Sequence, residues 1–204
     1  MIIDLTRLIV DKMPVFPGDT ETTLIQSKFI QQHHYNNHQL TINMHVGTHI
    51  DGPMHMTDTH VYLSDFPLDS FIGEGCVLDV SGEMTIDYKV EYEQSIKENS
   101  IVILYTGYGK YFDQAEYFTA YPVLTKAFVD ILVRKKVKMI GMDTPSPDKY
   151  PFEIHAYLFE NTIFIAENLT NVERLLDVES FEIIALPLHI KADSSIARII
   201  ARVK

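Results

Sequence analysis

Three histidines and one aspartate occur within eleven residues, in the segment HVGTHIDGPMH at positions 45–55. Imidazole nitrogens and carboxylate oxygens are ligands for zinc, manganese and related divalent ions. Such ions lower the pKa of a bound water, and a histidine outside the ligand set can transfer protons near neutral pH. The residue types in this segment therefore indicate a site for divalent metal ions.

The conformation of this segment decides which of its side chains can meet. If residues 42–55 are extended, His45, His49 and Asp51 share one face with Gly47, and mostly apolar side chains occupy the other face. On a flat strand the Cα atoms of His45 and His49 would be roughly 13 Å apart. A helix would also pair the two histidines, but β-branched residues, the glycine and a following Gly-Pro pair disfavour it. We therefore predict an extended segment in which Gly47 allows a bend or bulge.

The remaining histidines carry weaker signals. Seven of the nine histidines lie between positions 33 and 60. His33, His34 and His38 belong to a polar run that predicts a solvated loop, and His60 and His189 are predicted to be structural or surface residues.

The elements that must position these residues alternate between strand and helix patterns. Thr125 is a predicted N-cap of a helix that continues to about Lys136, and Val172–Leu176 is helix-like. Pro187 implies an edge or a bulge in the strand that contains it. This alternation predicts an α/β domain with a mixed sheet. Besides the histidine segment, the predicted strands are Ile2–Val10, Ile101–Thr106, Lys138–Asp143, Thr162–Ala166 and Phe181–Ile190.

Length and charge restrict the class of protein. A chain of 204 residues is most simply one domain, residues 1–204. The net charge of -11 argues against a nucleic-acid partner, because phosphate binding requires clustered lysine and arginine.

Cysteine content and hydropathy indicate the compartment. The single cysteine, Cys76, excludes an intrachain disulfide, and its apolar neighbours predict a buried thiol rather than a nucleophile. The first residues lack signal-peptide features, and no apolar run reaches the roughly 18 residues of a membrane span. We therefore expect a cytoplasmic protein that has no membrane partner.

The pattern His-x-Gly-Thr-His-x-Asp-x-Pro-x-His, from His45 to His55, resembles the signature of the metal-dependent cyclase family, which includes the bacterial kynurenine formamidases. Other segments resemble the family in the same order along the length of the chain. They are Pro14–Thr20, similar to the active-site entrance loop, Asp143–Ser146, similar to a second loop, and Ala185–Leu188, similar to the C-terminal strand.

The resemblance implies a fold, a cofactor and an assembly. The fold would be a mixed-sheet, β-barrel-like core flanked by helices, the cyclase-like swivelling β/β/α fold. The cofactor would be two divalent metal ions per subunit, with zinc expected first and manganese as the alternative. The partners would be a small-molecule substrate and a second copy of the chain in a homodimer.

The resemblance also implies the metal ligands. His45, His49 and Asp51 would bind the first ion, and Asp51 would reach the second. His155 and Glu167 would complete the pair, with Glu167 bridging both ions. The spacing between His155 and Glu167 is that of the family, and Glu167 directly follows an apolar strand, where functional groups collect in α/β sheets.

Residues outside the ligand set bear on the reaction and the substrate. By the same resemblance, His55 would be the catalytic proton-transfer residue. Phe16 stands where the kynurenine formamidases have tryptophan, and it would still stack on an aromatic substrate. Met56 stands where the family often has an aromatic residue. Ser146 either forms a hydrogen bond in the substrate pocket or terminates a strand.

The function implied is hydrolysis of the formamide of N-formylkynurenine to kynurenine and formate by a metal-activated water. A second hypothesis keeps the hydrolase and changes the substrate to another small cyclic amide that resembles isatin, or to an ester or lactone; Phe16 in place of tryptophan favours it. A third hypothesis is a non-catalytic metal-binding protein. The presence of His55, which metal binding alone does not require, argues against the third.

Overall fold

The computed structural model describes all 204 residues and contains twelve strands and four α-helices. The strands are β1 (Ile2–Asp4), β2 (Thr23–Lys28), β3 (Asn37–Thr41), β4 (His49–Asp51), β5 (Ile72–Asp79), β6 (Thr85–Ile86), β7 (Ile101–Tyr105), β8 (Val123–Leu124), β9 (Met139–Met142), β10 (Phe164–Glu167), β11 (Phe181–Pro187) and β12 (Ser194–Val203). The α-helices are α1 (Ile30–His33), α2 (Val90–Ser95), α3 (Lys126–Arg134) and α4 (Glu153–Glu160). Short 3-10 helices cover Pro53–His55, Leu63–Asp65, Leu68–Phe71, Tyr108–Tyr111, Ala115–Phe118 and Val172–Leu175.

Eight strands form one sheet in the order β1-β12-β11-β5-β7-β9-β10-β4. The sheet closes because β4 also pairs with β12, so that seven strands form a barrel and β1 adds to the far end of β12. Within this sheet, the pairings of β5 with β7, β7 with β9 and β9 with β10 are parallel. The other pairings of the sheet are antiparallel. The predicted α/β fold, with a mixed-sheet, barrel-like core flanked by helices, is therefore confirmed.

The closed sheet separates two hydrophobic cores. In β7, Ile101 and Ile103 face a buried cluster to which strands all around the sheet contribute, which is the interior of the barrel. Val102 and Leu104 alternate with them and pack outward against α3 and α4. Period-two alternation thus gives β7 one face toward the barrel interior and one toward the helices.

Several predicted elements lie close to their observed positions. Helix α3 begins directly after Thr125, whose hydroxyl accepts a hydrogen bond from the backbone N–H of Phe128 at 3.2 Å. That helix ends at Arg134, two residues before the predicted end. Strands β7 and β9 lie within the predicted ranges, and β10 is shifted toward Glu167.

The predicted strands at the two ends of the chain are too long. Strand β1 ends at Asp4, and from Thr6 onward the backbone bonds to side chains: the Thr6 N–H donates to Oδ1 of Asp4 at 3.1 Å and the Arg7 N–H to the Thr48 hydroxyl at 2.9 Å. Strand β11 ends at Pro187, which has no N–H to donate to a neighbouring strand.

The predicted extended conformation of residues 42–55 is correct only for β4. The chain turns through residues 44–48, and Gly47 adopts a φ of 63°, which a residue with a side chain rarely adopts. A Cβ at this position would also lie 2.9 Å from Cε of Met13. Residues Pro53–His55 form a 3-10 turn instead of continuing the strand. The glycine therefore provides the predicted bend, but the bend is a complete turn.

Cys76 is less buried than the sequence predicts. Cys76 is half-buried rather than buried, and its thiol donates to the carbonyl of Ser95 at 3.4 Å. Burial raises the pKa of this thiol to about 11, which disfavours the nucleophilic thiolate.

The polar run predicted as a loop forms α1 and β3, with His34 and His38 exposed. None of the helices combines the length and apolar character that a bilayer crossing requires.

A close approach inside the barrel makes Gly75 sensitive to substitution. A Cβ at Gly75 would lie 2.0 Å from Cε2 of Phe181, whose ring is buried in the barrel interior. We expect Gly75→Ala to lower the free energy of unfolding by about 1–3 kcal/mol, because overpacking forces the ring or the backbone to move. Urea unfolding measures this change.

The matched control is the same substitution in a Phe181→Leu background, which leaves space for the added methyl group. The destabilisation by Gly75→Ala should be smaller there, because the two sites are in contact and their effects are not additive. Equal destabilisation in both backgrounds would contradict the steric explanation.

Candidate metal centre

The ligand residues predicted from sequence lie on the outer face of the barrel, beneath α4. Strands β4 and β10 are adjacent and antiparallel, and Glu167 lies opposite His49 in their register. Ile50 and Ala166 point into the barrel, so His49, Asp51 and Glu167 share the outer face. Helix α4 covers this face and presents His155 to it.

Four of these side chains are almost completely buried and close together. His49 and Asp51 are each 1% exposed, His155 is 3% exposed and Glu167 is 5% exposed. Nε2 of His49 lies 3.4 Å from Oδ1 of Asp51 and 3.3 Å from Oε2 of Glu167. Nε2 of His155 lies 3.3 Å from Oε1 of Glu167. Glu167 thus stands between two imidazoles, one on a strand and one on a helix.

The turn at Gly47 adds His45 to this cluster. The rings of His45 and His49 have centroids 5.3 Å apart, and Nδ1 of His45 lies 3.0 Å from Oδ1 of Asp51. Two groups result, His45–His49–Asp51 and Asp51–His155–Glu167, in each of which the ligand atoms lie within 4.8 Å of one another. Asp51 belongs to both groups, so the arrangement suits two neighbouring cations that share a carboxylate.

Unsatisfied polar atoms test whether these residues fit a cation. Nε2 of His49, Oδ1 of Asp51 and Oε1 of Glu167 are buried and have no hydrogen-bond partner. Buried polar atoms are nearly always paired, because an unpaired one costs about 1–3 kcal/mol. Divalent ions at this position would satisfy all three atoms, so the residues fit metal binding. A third group, His45–His55–Asp193, also has ligand atoms within 4.8 Å, but its nitrogen and oxygen atoms already pair with each other.

Hydrogen bonds fix the tautomers of two imidazoles in the form that binds metal. Nδ1 of His49 lies 2.8 Å from the carbonyl oxygen of Gly47, so this nitrogen is the donor and Nε2 is the nitrogen that would bind a cation. Nδ1 of His155 lies 2.5 Å from Oδ1 of Asp148, which orients the ring in the same way. Asp148 cannot be predicted from the sequence, because an acidic residue seven positions before a histidine matches no known ligand spacing.

His55 lies beside the ligand groups and contacts a second residue that the sequence analysis missed. Its ring centroid is 4.2 Å from that of His45, and its Nδ1 lies 3.1 Å from Oδ2 of Asp193. Asp193 precedes β12 and is 138 residues away in sequence, so no local spacing predicts the contact. The structure thus places His55 next to the predicted ligands and outside both groups that have unsatisfied atoms.

A cavity of about 230 Å³ opens onto the ligand groups. Phe16 and Ser146, the predicted substrate-binding residues, both line it. Phe16 packs edge-on against Phe118, with ring centroids 5.9 Å apart, while the Ser146 hydroxyl donates to the carbonyl of Asp148 at 2.8 Å. Ser146 therefore holds the loop together and does not point a free hydroxyl at the cavity. The cavity is lined by Phe16, Asp19, His45, Asp51, His55, Met56, Phe118, Pro145, Ser146, Phe152, His155, Glu167 and Asn168.

Phe152 is a further cavity residue that the sequence analysis did not identify. It directly precedes α4 and has a φ of 64°, a left-handed conformation that is rare for a bulky side chain. Its ring lies edge-on to that of His155, with centroids 5.7 Å apart. Such strain concentrates at functional sites, and here it accompanies an aromatic side chain in the cavity wall.

Carboxylates raise the pKa values of the candidate ligand histidines in the metal-free protein. Burial alone would lower the pKa of His45, but the charge of Asp51 and the hydrogen bond to Asp193 outweigh it and raise that pKa to about 10. Burial likewise opposes the charge of His155, but hydrogen bonds to Asp148 and Glu167 raise its pKa to about 9. These carboxylates therefore favour the protonated form of both histidines when no metal is bound.

Metal binding should consequently release protons. A ligand imidazole must be neutral, so zinc displaces protons from His45 and His155 when it binds below their raised pKa values. We expect the apparent zinc affinity to increase as the pH rises from about 7 toward 9. Zinc titration of the metal-free protein in weak buffer with a pH indicator measures the protons released. An affinity that is independent of pH over this range would contradict the prediction.

Comparison with known proteins identifies the family of this chain. The family profile described as "Putative cyclase" matches residues 3–149, which is more than half of the chain. The chain belongs to the cyclase family. The membership that the His45–His55 segment predicts is thereby confirmed.

A full-length relative and two solved structures are also similar to this chain. Kynurenine formamidase of Bacillus cytotoxicus is 28% identical over 205 residues, covering 98% of this chain and 96% of that protein. Isatin hydrolase A from Labrenzia aggregata has the same fold, with a TM-score of 0.86 at 21% identity, and the match covers 100% of this chain and 93% of that chain. A structure described as a potential metal-dependent hydrolase with cyclase activity matches with a TM-score of 0.80 at 22% identity, covering 100% and 98% of the two chains. The chain thus shares the fold of these solved structures and is related along almost its whole length to kynurenine formamidase of Bacillus cytotoxicus.

Proposed function

We propose that this cyclase-family protein hydrolyses the formamide of an arylformamide, with N-formylkynurenine as the first candidate substrate. The observation that carries the proposal is the position of His55, beside two overlapping ligand groups and at the wall of an aromatic cavity. A protein that only bound metal would have no need of this histidine. The similarity to kynurenine formamidase along almost the whole chain supports the choice of substrate.

The proposed roles of the ligand residues follow from the geometry. His45, His49 and Asp51 would hold one divalent ion, and Asp51, His155 and Glu167 would hold a second, with zinc as the first expectation and manganese as the alternative. When bound, these ions supply Lewis acidity for the scissile carbonyl and a water of lowered pKa. Burial of the ligand side chains keeps bulk water away from the charges, which strengthens every electrostatic interaction in the site.

The remaining residues act on the substrate. The aromatic leaving group would lie against Phe16 and Phe118, whose edge-on packing leaves ring surface toward the cavity. An arylamine is a poor leaving group until its nitrogen is protonated, so His55 would donate a proton to that nitrogen as the C–N bond breaks. Its Nδ1 is engaged with Asp193, which leaves Nε2 for this transfer.

A specific observation favours a second candidate substrate, a neutral cyclic amide such as isatin. The cavity lining contains no lysine or arginine, and three of its residues, Asp19, Asp51 and Glu167, are acidic. The amino-acid carboxylate of N-formylkynurenine would therefore find no cationic partner in the lining, whereas a neutral ring requires none. Phe16, which lacks the N–H donor of a tryptophan, also favours this second candidate.

The test is a comparison of initial rates for N-formylkynurenine and isatin with protein loaded with zinc or manganese. Glu167→Ala serves as the control for metal-dependent turnover. Hydrolysis of N-formylkynurenine that is lost in the control supports the first proposal, and preference for isatin supports the second. Metal binding without turnover of either compound, or of simple esters and lactones, would replace both with the non-catalytic metal-binding hypothesis.

A further inference from the structure

Asp193 occupies a central position between two histidines of the site. Its Oδ2 lies 3.1 Å from Nδ1 of His55 and 3.0 Å from Nε2 of His45, and the hydroxyl of Ser194 donates to the same oxygen at 3.1 Å. The backbone carbonyl of Asp193 also accepts a hydrogen bond from the N–H of Gly52 at 3.0 Å. The side chain and backbone of one residue therefore both hold the segment that carries the site histidines.

The contacts of Asp193 determine which nitrogen of each ring carries hydrogen. An ionised carboxylate only accepts hydrogen bonds, so both ring nitrogens that face it are donors. His45 thus donates through Nε2, and its Nδ1 faces Oδ1 of Asp51 at 3.0 Å, toward the ligand groups. His55 donates through Nδ1, and its Nε2 is left for proton transfer. In the neutral forms of the two neighbouring rings, one carboxylate oxygen therefore selects opposite tautomers.

We propose that Asp193 is a positioning residue that holds His45 and His55 in these complementary tautomers. The orientation of a metal-ligand imidazole and that of the proton-transfer imidazole then depend on the same side chain. The rings lie 4.2 Å apart between centroids and are tilted by 37°, so a displacement of the shared carboxylate displaces both. The consequence for turnover rests on the proposed function, whereas the tautomers do not.

Ser194 limits the movement of the carboxylate. Its hydroxyl contacts both Oδ2 of Asp193 and Nε2 of His45, each at 3.1 Å, and its side chain is buried at the start of β12. Ser194 also lies opposite Asp51 in the pairing of β12 with β4. The barrel wall thus sets the position of Asp193 relative to the ligand groups, which is what a positioning role requires.

The experiment uses the zinc-loaded full chain and the variants Asp193→Ala and Asp193→Asn, with the exposed residue Asp58→Asn as a matched control. Long-range proton–nitrogen NMR correlations of the imidazoles report the tautomers, and steady-state kinetics report kcat and KM. In the wild type we expect His55 to carry its hydrogen on Nδ1. In Asp193→Ala we expect that preference to be lost and kcat to fall about 100-fold, with KM little changed.

The conservative variant separates positioning from a merely structural role. Asp193→Asn keeps an oxygen acceptor without the charge, so it should keep the His55 tautomer and lose only about tenfold in kcat. If Asp193→Ala does not fold, this tenfold loss at unchanged KM decides in favour of the proposal, and an unchanged kcat decides against it. An identical His55 tautomer and kcat in all variants overturns the proposal. If the wild type hydrolyses neither candidate substrate, the proposed function fails and the NMR signals alone decide the role of Asp193.

Discussion

Replacing His55 with alanine is expected to lower kcat by about 10²- to 10⁴-fold, which corresponds to roughly 3–5 kcal/mol in the activation barrier. The reason is loss of the proton donor for the leaving nitrogen. The metal content should stay at the wild-type value, because His55 belongs to neither group that contains unsatisfied buried atoms. Steady-state kinetics combined with metal analysis of the same preparation measures both quantities.

The matched control for this substitution is His60→Ala, five residues further along the chain. His60 is exposed and belongs neither to the cavity lining nor to a ligand group, so its removal should change neither kcat nor metal content. Loss of metal together with activity in His55→Ala would assign His55 to metal binding. Unchanged kcat at full metal content would remove His55 from the proton-transfer step.

Replacing Glu167 with glutamine is expected to have the largest effect on the metal centre. The two carboxylate oxygens of Glu167 face Nε2 of His49 and Nε2 of His155, each at 3.3 Å, and one of them is buried without a hydrogen-bond partner. Glutamine has nearly the same shape, but it removes the negative charge and replaces one acceptor with an amide that cannot bind a cation. We expect less metal per chain and a loss of turnover of at least about 10³-fold.

Glu160→Gln is the matched control for the carboxylate substitution. Glu160 is the exposed last residue of α4, so the same chemical change is made outside the site. Metal analysis after dialysis, together with thermal unfolding with and without added zinc, distinguishes loss of binding from loss of folding. Full metal content in Glu167→Gln would show that this carboxylate is not required to hold the ions.

The predicted homodimer and the cytoplasmic location stay predictions. The hairpin of β2 and β3 is largely exposed and carries apolar side chains such as Ile25 and Leu40. Light scattering at several protein concentrations measures whether the chain self-associates.

Local sequence predicted the parts of the fold whose energetics are local. The N-cap Thr125 and the apolar periodicity after it predicted α3, the β-branched run Ile101–Thr106 predicted β7, and the segment Lys138–Asp143, interpreted as a buried strand, predicted β9. Prediction was poorer for residues 42–55, where period-two alternation indicated a long strand. The turn at Gly47 replaced it because long-range contacts, including the bond from Arg7 to Thr48 and the packing of Met13, decide the path of the chain there.

The sequence by itself determined the chemical character of the protein: the ligand types, their grouping near positions 45–55, and the resemblance that extends to His155 and Glu167. Only the tertiary structure decided how those ligands meet. Closure of the barrel pairs β4 with both β10 and β12, which brings residues more than a hundred positions apart onto one face. The contacts of Asp148 and Asp193 with the histidines depend on that closure. No local pattern encodes them, because the free energy that holds them comes from packing the whole barrel and not from the few residues around each carboxylate.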